Sequence, residues 1–225
     1  MPEPALHLYA ITDRPEAELP DVAGLDDARL CAVRHDGLAA VCSWATGVEA
    51  TPPALWRHEA VAETLMADRS VLPARFGIAF TDEAGLRAEL VRREDALAGS
   101  LRRVAGCVEL GLRVLAEPQG ESSDEPLRDQ TGRAYLTIRL EARRRAERLA
   151  AEVHGPLAGL AEGARERVLL TERLPLSAAY LVRRERVDAF RSEVERLAAE
   201  RPDLRLLCTG PWPPYSFAAT DEGAA

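Results

Sequence analysis

The sequence predicts an α+β fold, and three observations lead there. The hydrophobic periodicity of the first half reads β-β-β-α-β-α, and that of the second half, counted from Val108, reads β-α-β-β-α-β. With 47% hydrophobic residues in 225, the chain can bury one substantial core or two smaller ones, and it needs neither a disulfide nor a metal to fold. The second element order is that of a ferredoxin-like split unit.

Each element has a local reason. Residues 6–11 alternate loosely and end at Thr12-Asp13-Arg14-Pro15, which reads as a strand leaving into a loop. Two apolar runs, residues 30–34 and 39–44, flank His35-Asp36-Gly37-Leu38, and Asp-Gly is the preferred centre of a two-residue type I′ hairpin. In that turn the partners' residue numbers have a constant sum, which sets Cys31 directly opposite Cys42 in a hydrogen-bonded pair, both reduced in the cytosol. Thr51 caps a helix whose first turn holds Pro52 and Pro53, and Leu55, Ala62, Leu65 and Met66 recur on its buried face up to about Arg69. Residues 71–80 form one strand, pushed to an edge or a bulge by Pro73. Thr81 and Asp82 cap a second helix with Leu86, Leu90, Leu97 and Leu101 as its stripe.

The second half opens with a strand at 107–115. Residues 117–129 concentrate acidic residues, serine and proline, can bury almost nothing, and are expected to be a mobile loop dispensable for folding. From Thr131 a long helical pattern carries Leu136, Leu140, Leu149, Val153, Leu157 and Leu160. Gly155-Pro156 is its expected kink or break. Its opening, residues 135–140, also alternates like a strand. Strands at 167–174 and 178–183, a helix around 187–199 and a strand at 204–209 complete the order.

Composition and motifs exclude several functions. A formal net charge of -8 opposes attraction to nucleic acid or to an anionic membrane, and every one of the 29 basic residues is Arg. The N-terminus lacks a basic region followed by an apolar run, and no stretch approaches the roughly 20 apolar residues that span a bilayer, so a cytoplasmic protein is expected. Cys31, Cys42, Cys107 and Cys208 are scattered without C-x-x-C spacing, and the expectation is no metal site and no cofactor. The chain has no phosphate-binding glycine motif, no Lys and no G-x-S-x-G elbow. His58-Glu59 offers an acid/base pair at a helix start, but a cap or a partly buried polar residue is the plainer reading, and no catalytic residue is expected. Arg139, Arg143, Arg144, Arg145 and Arg148 lack interleaved aromatics and read as solvated helix surface. Ferredoxin-like units do bind RNA or protein, which keeps such a binding module as the rival function.

Two stretches exceed what a generic core needs. Val71-Leu72-Pro73-Ala74-Arg75-Phe76-Gly77 sets an Arg among apolar residues, where Pro and Gly fix an irregular strand. Gly210-Pro211-Trp212-Pro213-Pro214-Tyr215-Ser216-Phe217 combines three prolines without backbone donors and three aromatics with large contact area.

These residues resemble the gas vesicle protein L/F family, characterised by a VLP-x-RFG segment and a terminal TGPWPPYSF segment. Gly132-Arg133-Ala134-Tyr135-Leu136 is similar to the family's G-x-AYL. The likeness runs from Leu6 to Phe217, and only Ala74 and the Thr137-Ile138 pair depart from the pattern.

The resemblance implies two domains: an N-terminal α+β domain at 1–105, a modified ferredoxin-like domain at 106–217 carrying the Pro/aromatic tail, and a disordered end at 218–225. It implies a minor gas vesicle component in the cytoplasm, associated with vesicles. Its expected partners are the apolar shell protein, whose aggregation it limits, and other accessory proteins, with no nucleic acid and no membrane. No catalytic residue is implied. The candidate structural or interface residues are Arg75, Phe76, Gly77, Tyr135, Trp212, Pro213, Pro214, Tyr215 and Phe217. Arg75 is expected to hold a carboxylate or strand carbonyls with its planar fork. The tail is expected to be held by side chains, since its prolines disfavour sheet pairing.

Overall fold

The computed structural model describes residues 3–116, 132–168 and 176–218. The chain is a mixed α+β protein with two sheets, divided between two units: Met1–Val108 together with Trp212–Ala225, and Glu109–Pro211. The expected boundary at 105/106 falls in the turn just before the strand at Cys107–Ala116, three residues ahead of the boundary at 108/109, which lies inside that strand. The Pro/aromatic tail, expected to close the second domain, belongs to the first unit instead.

In the first unit, β1 (Pro4–Thr12), β2 (Cys31–His35), β3 (Leu38–Thr46) and β4 (Val71–Pro73) form a sheet in the order β2-β3-β1-β4, and β5 (Ala79–Phe80) also pairs with β1. All these pairings are antiparallel. The hairpin has the register read from the sequence, with Cys31 opposite Cys42 and His35 opposite Leu38. Asp36 and Gly37 both have positive φ, 34° and 77°, as a type I′ turn demands. Gly37→Ala forces a Cβ into the left-handed region and should destabilise the protein by about 1–2 kcal/mol, which a denaturant titration reads directly.

Residues 71–80 are two short strands rather than one. Both run along β1, and the turn between them bulges outward where Gly77 takes φ 89° and Ile78 N–H bonds to the Arg75 carbonyl. β1 answers with its own irregularity between Leu8 and Ala10. Pro73 ends β4 at the edge of the sheet, where its missing N–H leaves no ladder bond broken.

α1 (Pro52–Met66) starts where Thr51 accepts from Ala54 N–H, and α2 (Glu83–Arg92) where Asp82 accepts from Gly85 N–H at 2.7 Å. The buried face of α1 is His58, Val61, Ala62, Leu65 and Met66, spaced i, i+3, i+4, i+7, i+8. Leu55, expected on that face, sits in the first turn and is exposed, beside a Trp56 that is 74% exposed. The second helix is broken in two, since Arg93 leaves helical geometry (φ −114°, ψ 14°) before α3 (Glu94–Val104). Leu86 and Leu90 belong to α2, which packs on β2 and β3; Leu97 and Leu101 belong to α3, which packs on β4. Two targets require two helix axes, and the stripe alone does not reveal this.

The second unit is built on β6 (Cys107–Ala116), β7 (Gly163–Val168), β8 (Leu176–Arg183) and β9 (Leu204–Trp212), in the order β7-β8-β6-β9. α4 (Gly132–Ala158) and α5 (Val187–Glu200) supply its helical side. Leu110, Leu112 and Val114 alternate on β6, and Leu176, Ala178, Tyr180 and Val182 on β8. They meet Leu149, Val153 and Leu157 of α4 and Phe190, Val194 and Leu197 of α5 in one core. The ambiguous opening at 135–140 is helical, and Leu140, counted in the buried stripe, is exposed. Pro156 lies in the last turn of α4 and does not break it, because the helix ends two residues later. The acidic loop at 117–129 and most of the strand expected at 167–174 lie outside the described residues. Among the described residues no helix is long and apolar enough to cross a membrane.

Candidate functional site

The first motif is anchored from below by two histidines. Val71, Leu72 and Pro73 are buried, Ala74 N–H bonds to the Tyr9 carbonyl, and Leu8 N–H bonds to the Ile78 carbonyl, so the segment is stitched to β1 on both sides of its turn. Under that turn His58 of α1 donates from Nε2 to the Ala74 carbonyl at 2.9 Å, and the carbonyl dictates the tautomer. His58 Nδ1 is then a bare acceptor, and His7 of β1 donates to it from Nε2 at 2.9 Å. His7 Nδ1 is left buried and unprotonated, with no partner among the described residues. Tyr9 and Phe76 pack their rings on the pair at centroid distances of 4.9–5.6 Å.

Burial sets the electrostatics of this pair. Desolvation, with the adjacent His58 adding to it, drives the His7 pKa down to about 4, and His58 is lowered by burial against the opposing pull of the Ala74 carbonyl. Both nitrogens of His58 are committed to structural bonds. The acid/base role raised for His58 therefore has no nitrogen free to perform it. Tyr9 extends the network: its hydroxyl accepts from Leu25 N–H at 2.6 Å and bonds Ser43 Oγ at 2.8 Å. Gly24 makes room, because a Cβ there would lie 2.6 Å from both oxygens.

Above the histidines the turn faces outward. Arg75, Gly77 and Ile78 are exposed, and Phe76 is half-buried. The Arg75 guanidinium makes no hydrogen bond or ion pair among the described residues, so the carboxylate- or carbonyl-holding role expected of it is not realised. Only its carbonyl is engaged, by Ile78.

The second motif arrives from the other end of the chain. β9 continues through Pro211 to Trp212, further than the prolines suggested, after which Pro213 and Pro214 are buried and Tyr215–Ala218 forms a short helix, α6. Phe217 is 4% exposed and its carbonyl accepts from Arg103 Nη2 at 3.3 Å. α6 packs on both β4 and α3, so the two motifs meet within the first unit although some 140 residues separate them. Tyr215 is half-buried, while Trp212 stays 41% exposed. Tyr135 lies on α4 in the second unit, and its side chain is outside the described residues.

The sequence reading missed His7 and the depth of His58. The available signal was a lone histidine inside an apolar strand, and nothing local pairs it with a residue 51 positions away. His35, Asp36 and Glu94 bring three potential ligand atoms within 4.8 Å at the hairpin tip, where His35 Nε2 already bonds Glu94 Oε2 at 3.0 Å.

Comparison with known proteins places this geometry among relatives. The family model described as "Gas vesicle synthesis protein GvpL/GvpF" matches residues 5–219. Gas vesicle protein F2 of Halobacterium salinarum is 33% identical over 230 residues, covering 100% of this chain and 96% of the relative. Gas vesicle protein L of a Streptomyces species is 36% identical over 184 residues, covering 73% of this chain and 68% of the relative. The crystal structure of GvpF from Anabaena sp. PCC7120 superposes with a TM-score of 0.83 at 22% identity, covering 98% of this chain and all of that one. GvpF from Microcystis aeruginosa does so with 0.76 at 21% identity, covering 96% and 99%.

Proposed function

Because the chain belongs to the gas vesicle synthesis protein GvpL/GvpF family, we propose that it is a cytoplasmic accessory protein that binds the apolar gas vesicle shell protein, together with other accessory proteins, and limits shell-protein aggregation while vesicles nucleate. It carries out no catalysis in this reading. The observation that supports it is the meeting of the two motifs in the first unit. Each buries its apolar part against β1, α1 or α3. Left outside are an exposed Arg75, whose guanidinium has no partner among the described residues, and a half-exposed Trp212, both of types enriched at protein interfaces, together with the exposed Ile78. An acidic partner with a net charge of -8 stays soluble while it covers an apolar subunit.

The second unit supports the same reading as a ferredoxin-like scaffold. What supports that reading is its chain order β-α-β-β-α-β, its spatial order β7-β8-β6-β9 and the one core its two helices share.

The test is co-purification of shell protein from cells assembling vesicles, using full-length Arg75→Ala and Trp212→Ala. Neither side chain is buried, so both variants should melt within a few degrees of the wild type. The double variant should recover about tenfold less shell protein. Wild-type recovery by the double variant overturns the assignment of this surface, and recovery of RNA in place of shell protein would favour a nucleic-acid-binding module.

A further inference from the structure

Cys31 and Cys42 form a pair that the vesicle role does not use. They lie directly opposite each other on β2 and β3, with their sulfurs 3.4 Å apart on the same face of the sheet. The two-residue turn makes 35/38, 33/40 and 31/42 the hydrogen-bonded pairs, with Cα atoms about 5.5 Å apart, inside the span a disulfide bridges. A bond therefore needs the sulfurs to close to about 2.0 Å by side-chain rotation, with no strand movement. The two sulfurs differ in access. Cys42 is fully buried on the inner strand, whereas Cys31 is half-buried on edge strand β2.

We propose that Cys31 and Cys42 are a reversible two-electron thiol–disulfide site oxidised by hydroperoxides, with Cys31 as the attacking sulfur and Cys42 as the resolving one. The Cys31 thiolate attacks one peroxide oxygen and the O–O bond breaks, which gives a Cys31 sulfenic acid and, after protonation of the leaving oxygen, water or an alcohol. Cys42 then gives up its proton and attacks the Cys31 sulfur; the S–O bond breaks, water leaves and the S–S bond forms. Two thiols are oxidised and one hydroperoxide is reduced. The hydrogen bond between the thiols favours this division of labour, because it pulls the Cys31 thiol down and pushes the Cys42 thiol up, while burial and Glu83 oppose ionisation of either. The oxidised pair ties the edge strand covalently to the inner strand. In a reducing cytosol such a bond is transient and signals oxidant.

The test uses the full chain with Cys107→Ser and Cys208→Ser, which leaves only this pair. After brief hydrogen peroxide treatment and alkylation, tryptic cleavage at Arg34 separates the two cysteines into different peptides. The expected product is those two peptides joined within one chain, lighter by two hydrogens and separated again by dithiothreitol. Cys42→Ser should stop at a Cys31 sulfenic acid that dimedone traps. If the serine variants fold poorly, the same mapping on the wild-type chain decides the matter. Disulfides formed between chains, Cys31 sulfinic acid beside an alkylated Cys42, or two unreacted thiols at peroxide levels that oxidise glutathione would each overturn the proposal.

Discussion

Truncation after Thr209 should unfold the first unit, although the residues removed begin within β9, the last strand of the second. Phe217 is almost completely buried, Pro213 and Pro214 are buried beside it, and α6 sits on β4 and α3 with its carbonyl held by Arg103. Emptying one buried phenylalanine site typically costs about 3–5 kcal/mol. That is comparable with the entire stability of many domains, about 5–15 kcal/mol. Phe217→Ala alone should therefore lower the midpoint of chemical denaturation strongly, Phe217→Leu much less, and the truncated chain should show no cooperative transition assignable to the first unit. Trp212→Ala, at a half-exposed position, separates the structural part of the motif from its outward part. A truncated chain that melts like the wild type would show that the tail does not close this core.

What could be read from the sequence was whatever is decided locally. Asp36-Gly37 set the hairpin, its register and the facing cysteines because a two-residue turn fixes pairing by counting. Thr51 and Asp82 marked helix starts because a cap needs only its own next three residues. What failed was decided at a distance. The tail continues from the last strand of the second unit, so adjacency assigned it there, whereas its apolar groups are buried beside β4. The break at Arg93 has no Gly or Pro to announce it. It arises because α2 and α3 serve different strands, while Gly99 passes unnoticed inside α3. Leu55 and Leu140 matched a helical period yet face outward, since period gives a stripe but not where that stripe leaves its partner. Of the candidate residues, the two motif segments were identifiable as unusual, but the reason for the first lay in His7 and His58 beneath it, which no local pattern joins.

That pair should make the protein acid-sensitive. In the folded chain His7 is neutral, with its pKa near 4, whereas in the unfolded chain it ionises at its ordinary value near 6.5. Between these values the unfolded state binds the extra proton, so stability falls as the pH drops through 6.5 and levels off below about 4. The loss over that window is about 3 kcal/mol for His7, and lowered His58 contributes with the same sign. Protonation also attacks geometry. His58 Nδ1 can accept from His7 only while it is bare, so a charged His58 breaks the link between β1 and the carbonyl of Ala74. His7→Gln can keep a donor toward His58 but cannot titrate. It should cost about 1–2 kcal/mol at pH 7, through imperfect packing and a shifted hydrogen bond, yet show a flatter stability profile between pH 7 and 4.5. Denaturant midpoints measured across that range for both chains give the two slopes. Equal slopes would mean that acid attacks the fold elsewhere and that the buried histidine pair is not its titrating element.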